Sequence, residues 1–267
     1  MKILATGPSG ASEELGPLRD AGHEVAIGRP LDQPGRIAYT EADLIAAARD
    51  VDVILASHLE TITRGVMEAV PRLRLVIVPF IGTDKIDIPA ATRLGVLVAN
   101  SPTPENFIAV AEAIIGLILM LLKRVKHNEA KLRRGEWAQR QDRGEFLFGK
   151  TVGLVGLGRV GSHVARRLVN WDVRLLASDP YIPMAQAEAL DVTLVDLDTV
   201  LAESDVVSLH ASLTDETRGL IGEKELRRMK PTAVLVNTAR GEMADEEALA
   251  RAIGEGWIGR ASCRERV

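Results

Sequence analysis

The sequence predicts an α/β fold with two domains, each built around a parallel sheet. Short β-branched apolar runs alternate with helical patterns over the first hundred residues and again after residue 149. Parallel neighbouring strands need long crossover connections of this kind. The length of 267 residues suits two domains, because a compact domain usually has about 100 to 150 residues. The composition, 46% hydrophobic and 26% charged, is that of a globular protein with a sizeable core.

The first domain is predicted to span residues 1–100. Its strand candidates are the runs KILATG, EVAIG, VDVILAS, LRLVIVP and GVLVAN, each bounded by polar or turn residues. Residues 41–49 and 62–70 have helical patterning. Thr40 and Thr61 are the N-cap candidates, because a hydroxyl can accept a hydrogen bond from an unpaired amide of the first helical turn. We place the domain boundary near Asn100.

Residues 104–134 are predicted to form one long helix that joins the two domains. Residues 107–122 are mostly apolar, but 16 residues that include Glu112 are too few for a membrane span of about 20. A helix packed against a domain or a partner subunit is therefore the better interpretation. The part from Lys123 to Arg134 is rich in basic residues, which is typical of a solvated surface.

The second domain is predicted to span residues 101–257. Its strand candidates are TVGLVG, VRLLAS, VTLV, DVVSLHA and AVLVNTA. The central runs are almost continuously apolar, as in strands that are buried on both faces. This pattern is typical of a doubly wound sheet with helices on each side.

A glycine motif follows the first strand of the second domain and opens a helix. Gly156, Gly158 and Gly161 have the G-x-G-x-x-G spacing, which permits a tight turn, close approach of a pyrophosphate, and helix-on-strand packing. Asp179 ends the next strand, where its carboxylate can bind a ribose and would repel a 2′-phosphate. The elements predict a Rossmann-like domain that binds NAD rather than NADP. The alternative is a purely structural glycine turn, with Asp179 starting a turn at Pro180.

Two longer stretches resemble one enzyme family. They are FIGTDKIDIPAATRLGVLVANSP and VVSLHASLTDETRGLIGEKELRRMKPTAVLVNTARGEMADEEAL, and they resemble the D-isomer-specific 2-hydroxyacid dehydrogenases. The resemblance implies two Rossmann-like or flavodoxin-like domains and hydride transfer between NAD(H) and C2 of a small 2-hydroxy or 2-oxo acid. It also implies a homodimer for the full-length parent. The alternative on the same fold is an NAD-binding regulatory or scaffold protein.

The resemblance also assigns site residues. It makes Arg240 catalytic, since a planar guanidinium can bind the substrate carboxylate at two points; the alternative is an exposed arginine in a surface turn. It places Ile81 and Gly82 at the substrate carboxylate, although that turn could be purely structural. The cofactor-binding residues that it implies, with those of the glycine motif, are Gly156, Gly158, Arg159, Val160, Gly161, Asp179, His210, Ala211, Thr238 and Ala239.

The end of the chain does not fit the family pattern. The resemblance implies a strand ending in Asp-Val-Phe-Glu and a later catalytic histidine, but residues 258–267 are IGRASCRERV. No histidine of the chain matches the family's proton carrier, although His58 could line a cleft. Charges in the last ten residues leave no apolar face, so we expect no strand there and an incomplete second sheet. We expect a foreign tail, similar to translated sequencing-adapter DNA, and a nearly inactive chain.

Charge and cysteine content exclude other classes. The formal net charge is −4 with interspersed signs, so no broad basic field predicts a nucleic-acid partner. Cys263 is the single cysteine, which excludes an internal disulfide framework and a cysteine metal cluster. We expect a cytoplasmic protein without a metal site or a membrane partner.

Overall fold

The computed structural model describes residues 1–7, 12–29 and 37–263. It divides the chain into two compact units, Met1–Asn106 and Phe107–Val267. Each unit contains one sheet, and every strand pair in both sheets is parallel. The α/β class with two parallel sheets is therefore confirmed.

The first unit has a five-stranded sheet with the order β2-β1-β3-β4-β5, which is the flavodoxin-like order. Its strands are β1 (Lys2–Ala5), β2 (Glu24–Ile27), β3 (Val53–Leu55), β4 (Leu75–Val78) and β5 (Leu97–Asn100). Its helices are α1 (Gly16–Asp20), α2 (Glu41–Ala47), α3 (Arg64–Ala69) and α4 (Ile88–Leu94). All five predicted runs form strands.

One of the two predicted helix caps in this unit is correct. The Thr40 side chain accepts a hydrogen bond from the Asp43 amide at the start of α2. The prediction of Thr61 is wrong, because Thr63 caps α3 through the amide of Val66. The chain is still extended at Ile62, which forms a parallel β-bridge to a later segment, so the helix starts two residues further on.

The second unit has a six-stranded sheet with the order β11-β10-β9-β6-β7-β8, the doubly wound Rossmann arrangement. Its strands are β6 (Thr151–Val155), β7 (Arg174–Ser178), β8 (Thr193–Leu194), β9 (Val206–Leu209), β10 (Val234–Asn237) and β11 (Arg260–Cys263). Its helices are α5 (Pro104–Leu122), α6 (Val125–Arg133), α7 (Arg159–Leu168), α8 (Met184–Glu188), α9 (Leu197–Glu203), α10 (Glu223–Arg228) and α11 (Glu246–Gly254). The first three residues of α5 belong to the first unit.

The predicted single helix over residues 104–134 is wrong. Arg124 has a φ of 53°, a left-handed conformation that ends α5 and separates it from α6. Two long-range contacts hold the break. The Arg124 guanidinium donates to the carbonyl of Gln141, and Gly144 lies so close to the Lys123 backbone that a Cβ there would be 2.5 Å from its Cα.

The 19-residue helix α5 has a mean hydropathy of 2.0, so its length and composition alone would allow it to cross a membrane. Its buried face consists of Phe107, Ala111, Ile114, Ile118 and Leu122. Four of these residues, all except Phe107, belong to a core cluster that includes side chains of β6, α7 and β7. This packing favours the interpretation of α5 as a core helix of the second unit.

The basic helix α6 is only partly solvated. Lys131, 14% exposed, donates to the buried carboxylate of Asp142 at 2.6 Å, and His127 contacts the other oxygen of that carboxylate at 2.6 Å. These contacts, with the Gln139 amide, hold the pKa of Asp142 well below its ordinary value. The prediction of a merely solvated basic face is therefore wrong for Lys131, whereas His127 remains exposed.

The prediction that no strand forms near the end of the chain is also wrong. β11 pairs in parallel register with β10 from Val234 to Asn237, so the second sheet has its sixth strand. Backbone hydrogen bonds do not depend on side-chain pattern, and small residues follow Arg260 in the strand. The charge of Arg260 is compensated by the Leu121 carbonyl and the Glu145 carboxylate. Residues 264–267 lie outside the described residues, and the foreign origin of the tail stays a prediction.

Candidate functional site

The glycine turn after β6 is too tight for a side chain at its first position. Gly156 has a φ of +94°, and a Cβ there would lie 2.8 Å from the Ala211 amide nitrogen and 3.0 Å from the His210 carbonyl carbon. The turn therefore packs directly on the loop that follows β9. Only glycine combines this conformation with this contact.

The other two motif glycines have opposite surroundings. A Cβ at Gly161 would lie 2.3 Å from the Gly156 carbonyl oxygen, so the first turn of α7 rests on the glycine turn itself. A Cβ at Gly158 would meet no heavy atom of the described residues within 4 Å. Gly158 thus leaves open space immediately before α7, where a phosphate group could approach the backbone.

The amides of the first turn of α7 lie next to that open space and can donate to an anion. Ser162 makes the first intrahelical bond, from its amide to the Gly158 carbonyl at 2.9 Å. The amides of Arg159, Val160 and Gly161 precede it and have no carbonyl within the helix to accept from them. Together with the helix dipole, they suit the pyrophosphate of a dinucleotide.

Asp179 is fixed beside the glycine turn by two backbone amides. Its Oδ2 accepts from Leu157 N at 2.8 Å, and its Oδ1 accepts from Tyr181 N at 2.9 Å. Each carboxylate oxygen can accept a further hydrogen bond, as a ribose hydroxyl would require. The bond from Tyr181 N closes a turn at Pro180, which is the alternative role that the sequence allowed for Asp179. Asp179 therefore starts this turn and also lies next to the glycine motif.

His210 contributes buried nitrogens to the same region. Its amide donates to Val155 O at 2.8 Å at the end of β9, and its ring lies near Gly161. Among the described residues, neither ring nitrogen has a hydrogen-bond partner, although both are buried. Burial lowers the pKa of His210 to about 4, so the ring is neutral at neutral pH. Unpaired buried nitrogens are costly, so the ring is an unsatisfied polar group next to the glycine turn.

Arg240 lies on a turn that a buried amide holds, and sequence reasoning missed that amide. Asn237, 1% exposed, ends β10. Its Nδ2 donates to Arg240 O at 2.7 Å, and its Oδ1 accepts from Ala239 N at 3.1 Å. The Asn237 side chain thereby fixes the backbone of Thr238, Ala239 and Arg240. An asparagine at the end of a strand, directly before the turn, is the signal that could have revealed it, because its side chain can bind the backbone two residues on.

The Arg240 side chain folds toward its own turn. One guanidinium nitrogen donates to Ala239 O at 2.8 Å, and the residue is half-buried. The Ala239 amide and carbonyl both make hydrogen bonds within the turn. The cofactor-binding roles that the resemblance implies for Thr238 and Ala239 stay predictions.

Most of the predicted site residues lie at one edge of the second sheet. The carboxyl ends of β6, β7, β9 and β10 carry the glycine turn, Asp179, the His210–Ala211 pair and the Thr238–Arg240 turn, respectively. Ligands of doubly wound sheets bind at this edge. The fold thus brings together residues that are up to 84 positions apart, from Gly156 to Arg240.

Ile81 and Gly82 belong to the first unit. They follow β4 and are half-buried, and the Asn100 side chain donates to Ile81 O at 2.7 Å. The loop is therefore held to the end of β5 within its own sheet. His58, also in this unit, packs its ring edge-on against Phe80 at 5.7 Å. The substrate roles of these residues stay predictions.

Comparison with known proteins identifies the second unit. The family model described as "D-isomer specific 2-hydroxyacid dehydrogenase, NAD binding domain" matches residues 115–263, more than half of the chain. The chain belongs to this family. NAD is accordingly the cofactor of this dehydrogenase domain, as the glycine turn, the amides of α7 and Asp179 predict.

Individual relatives of this chain differ in their named activities. The chain is 37% identical to the D-3-phosphoglycerate dehydrogenase of Methanocaldococcus jannaschii over 97% of its own length and 47% of that protein. It therefore spans about half the length of the curated relative. A formate dehydrogenase of Staphylococcus aureus in complex with NAD is 30% identical, with a TM-score of 0.85 over 98% of this chain and 80% of that one. An acyclic imino acid reductase in complex with NADPH and D-arginine is 25% identical, with a TM-score of 0.84 over 98% and 81%.

Proposed function

We propose that this chain is part of an oxidoreductase that transfers a hydride between NAD(H) and C2 of a small 2-hydroxy or 2-oxo acid. The observation that carries the proposal is the Asn237-held turn that presents Arg240 at the same sheet edge as the glycine motif. A scaffold that only binds NAD needs the glycine turn and Asp179. It has no need for a guanidinium fixed at the end of a neighbouring strand.

The roles follow from the chemistry of each group. The amides of Arg159 and Val160 hold the pyrophosphate, and Asp179 binds the adenosine ribose. Arg240 binds the carboxylate of the acid and polarises the oxygen at C2, since a guanidinium donates from a planar fork. NAD, when bound, accepts or gives the hydride. Ile81 and Gly82 are proposed to contribute backbone amides to substrate binding.

The wider assignments are part of the same proposal. The parent protein is proposed to be a cytoplasmic homodimer in which α5 lies at the interface. Several apolar side chains of α5 remain only partly buried within the chain, among them Val110, Ile115 and Leu119. A second copy of the chain could cover them. Turnover by the 267-residue chain is expected to be slow, because none of its histidines is assigned as the proton carrier.

Ligand binding by the purified 267-residue chain tests the proposal without requiring turnover. NADH is titrated by fluorescence, and glyoxylate, a small 2-oxo acid, is then titrated into the NADH complex. The variant Arg240→Gln is expected to weaken glyoxylate binding at least tenfold, because a charge-assisted hydrogen bond contributes about 1.5 to 3 kcal/mol. NADH binding should change less than twofold.

The matched control is Arg166→Gln, which removes another arginine of the same unit from the exposed surface of α7. It should leave both titrations unchanged. Equal glyoxylate affinity in the wild-type and Arg240→Gln proteins would contradict the substrate role and favour the NAD-binding regulatory alternative. Absence of NADH binding would contradict the cofactor site as well.

A further inference from the structure

Tyr181 connects two loops that lie on either side of the glycine turn. Its hydroxyl donates to Glu216 Oε2 at 2.7 Å, and its backbone amide donates to Asp179 Oδ1 at 2.9 Å. The residue is 76% exposed. Tyr181 is held by its hydroxyl and by its backbone amide although its ring is exposed. Packing of the core therefore does not explain its position.

The sheet topology shows where this connection runs. Tyr181 follows β7, Glu216 follows β9, and each of these strands pairs with β6 on a different side. Neighbouring strands are about 4.8 Å apart, so the ends of β7 and β9 are about 10 Å apart with β6 between them. A hydrogen bond between their loops must therefore cross the carboxyl end of β6, where the glycine turn begins at Gly156.

Glu216 is also held by its own loop. Thr217 Oγ1 accepts from Thr214 N at 2.8 Å and donates to Ser212 O at 2.6 Å. Arg218 N donates to Thr214 O at 2.9 Å in the same turn. The backbone on both sides of Glu216 is thus fixed, and its carboxylate is directed to the Tyr181 hydroxyl rather than left to rotate in solvent.

The ligands of the two solved relatives indicate which property a negative charge near Asp179 can affect. One was solved with NAD and the other with NADPH, so this fold accepts both nucleotides and local residues must choose between them. The nucleotides differ by one phosphate on the adenosine ribose. Asp179 is proposed to bind this ribose and would repel that phosphate. We propose that Glu216, held in place by Tyr181, is a second carboxylate that weakens NADPH binding at this site relative to NADH binding.

The inference rests on the proposed function, since it takes the NAD site as the place where the choice is made. The raised pKa of the Tyr181 phenol supports the placement of the charges. Its first cause is the hydrogen bond to Glu216, with contributions from the negative charges of Glu216 and Asp179. Both carboxylates therefore lie close enough to the phenol to act at the same end of the site.

The size of the effect follows from Coulomb's law. At a separation of one Debye length at physiological salt, about 8 Å, a carboxylate weakens the binding of a dianionic phosphate in water by roughly fivefold at low ionic strength. Screening reduces this to about twofold at physiological salt. The effect should therefore be specific to NADPH, sensitive to salt, and smaller than that of Asp179.

The test measures the ratio of the dissociation constants for NADPH and NADH by fluorescence titration of the purified chain. Glu216→Gln keeps a hydrogen-bond acceptor for Tyr181 and removes the charge. Tyr181→Phe keeps the ring and removes the hydroxyl that holds Glu216. Each is measured alone and in an Asp179→Asn background, where NADPH binds more tightly. Glu255→Gln, at the C-terminal end of α11, is the control.

At about 0.01 M salt, Glu216→Gln is expected to lower the ratio about fivefold through NADPH alone, and Tyr181→Phe to lower it by a smaller factor. The change should largely disappear at about 0.5 M salt, and the control should have no effect. An unchanged ratio for Glu216→Gln in the Asp179→Asn background, with normal NADH binding, would overturn this inference alone. Absence of binding of either nucleotide would overturn the proposed function and this inference with it.

Discussion

Alanine substitutions at Gly161 and Gly158 separate the folding role of the glycine motif from its binding role. A Cβ at Gly161 would lie 2.3 Å from the Gly156 carbonyl oxygen, whereas ordinary contact begins near 3.4 Å. Helix α7 and the turn would therefore have to separate by about 1 Å. Because the obstructing atom belongs to the backbone, no side-chain rotation can relieve the overlap.

The cost of Gly161→Ala is expected at the upper end of the range for overpacking, about 3 kcal/mol of unfolding free energy. For a unit of this size that corresponds to a fall in Tm of about 6 to 12 °C. The displaced helix would also move the amides of Arg159 and Val160 away from the pyrophosphate. Loss of one charge-assisted hydrogen bond weakens NADH binding by at least about tenfold.

Gly158→Ala should weaken NADH binding without lowering the stability of the fold. In the described part of the chain no heavy atom lies within 4 Å of the added methyl group, and alanine in place of glycine at the N-cap of α7 costs at most about 1 kcal/mol. The methyl group would nevertheless occupy the space that the pyrophosphate needs. We expect a nearly unchanged Tm and NADH binding weakened at least about tenfold.

Thermal unfolding by circular dichroism and NADH titration by fluorescence measure the two effects on the same samples. Gly116→Ala is the matched control, since this helical glycine in α5 also has nothing within 4 Å. It should not alter NADH binding. The reasoning would be refuted if Gly158→Ala bound NADH normally, or if Gly161→Ala kept both wild-type Tm and wild-type affinity.

Two further predictions concern buried side chains of the same site. Because burial lowers the pKa of His210 to about 4, against about 6.5 when unfolded, the unfolded state binds the extra proton between these values. Stability should therefore fall as the pH drops from about 6.5 to 4, by up to about 3 kcal/mol. Urea unfolding across this range should show a flatter pH dependence for His210→Gln, and an identical slope would contradict the neutral buried ring. Asn237→Ala removes both bonds that hold the Arg240 turn and should weaken glyoxylate binding to the NADH complex more than it weakens NADH binding. Asn237→Asp keeps the acceptor for Ala239 N and should recover part of the loss, whereas equal losses of both ligands would indicate a purely structural role.

Local sterics explain why the nucleotide motif could be predicted. The requirements at Gly156 and Gly161 are set by residues close in sequence or at the end of adjacent strands, and a regular α/β pattern fixes where those strands end. Asp179 follows from the same regularity. The α/β class with parallel sheets was therefore accessible from the pattern of strands and helices.

The errors arise where distant segments decide local structure. The break between α5 and α6 lies where Gln141 accepts from the Arg124 guanidinium and Gly144 packs on the Lys123 backbone, and the apolar and basic pattern of residues 104–134 contains no sign of these contacts. The β-bridge at Ile62 likewise moves the cap of α3 from Thr61 to Thr63. In both cases a helical pattern was correct in type and wrong in extent.

The terminal strand and the Arg240 turn also depend on contacts between segments that are distant in the sequence. β11 forms although its side chains lack a strand pattern, because the exposed edge of β10 offers backbone donors and acceptors that any extended segment can pair with. The sequence by itself determined the fold class, the glycine turn and Asp179, since these depend on backbone sterics within short segments. The tertiary structure alone decided the Asn237 bonds to the Arg240 turn, the buried state of His210 and the link from Tyr181 to Glu216. Those features depend on which side chains the folded sheet brings together.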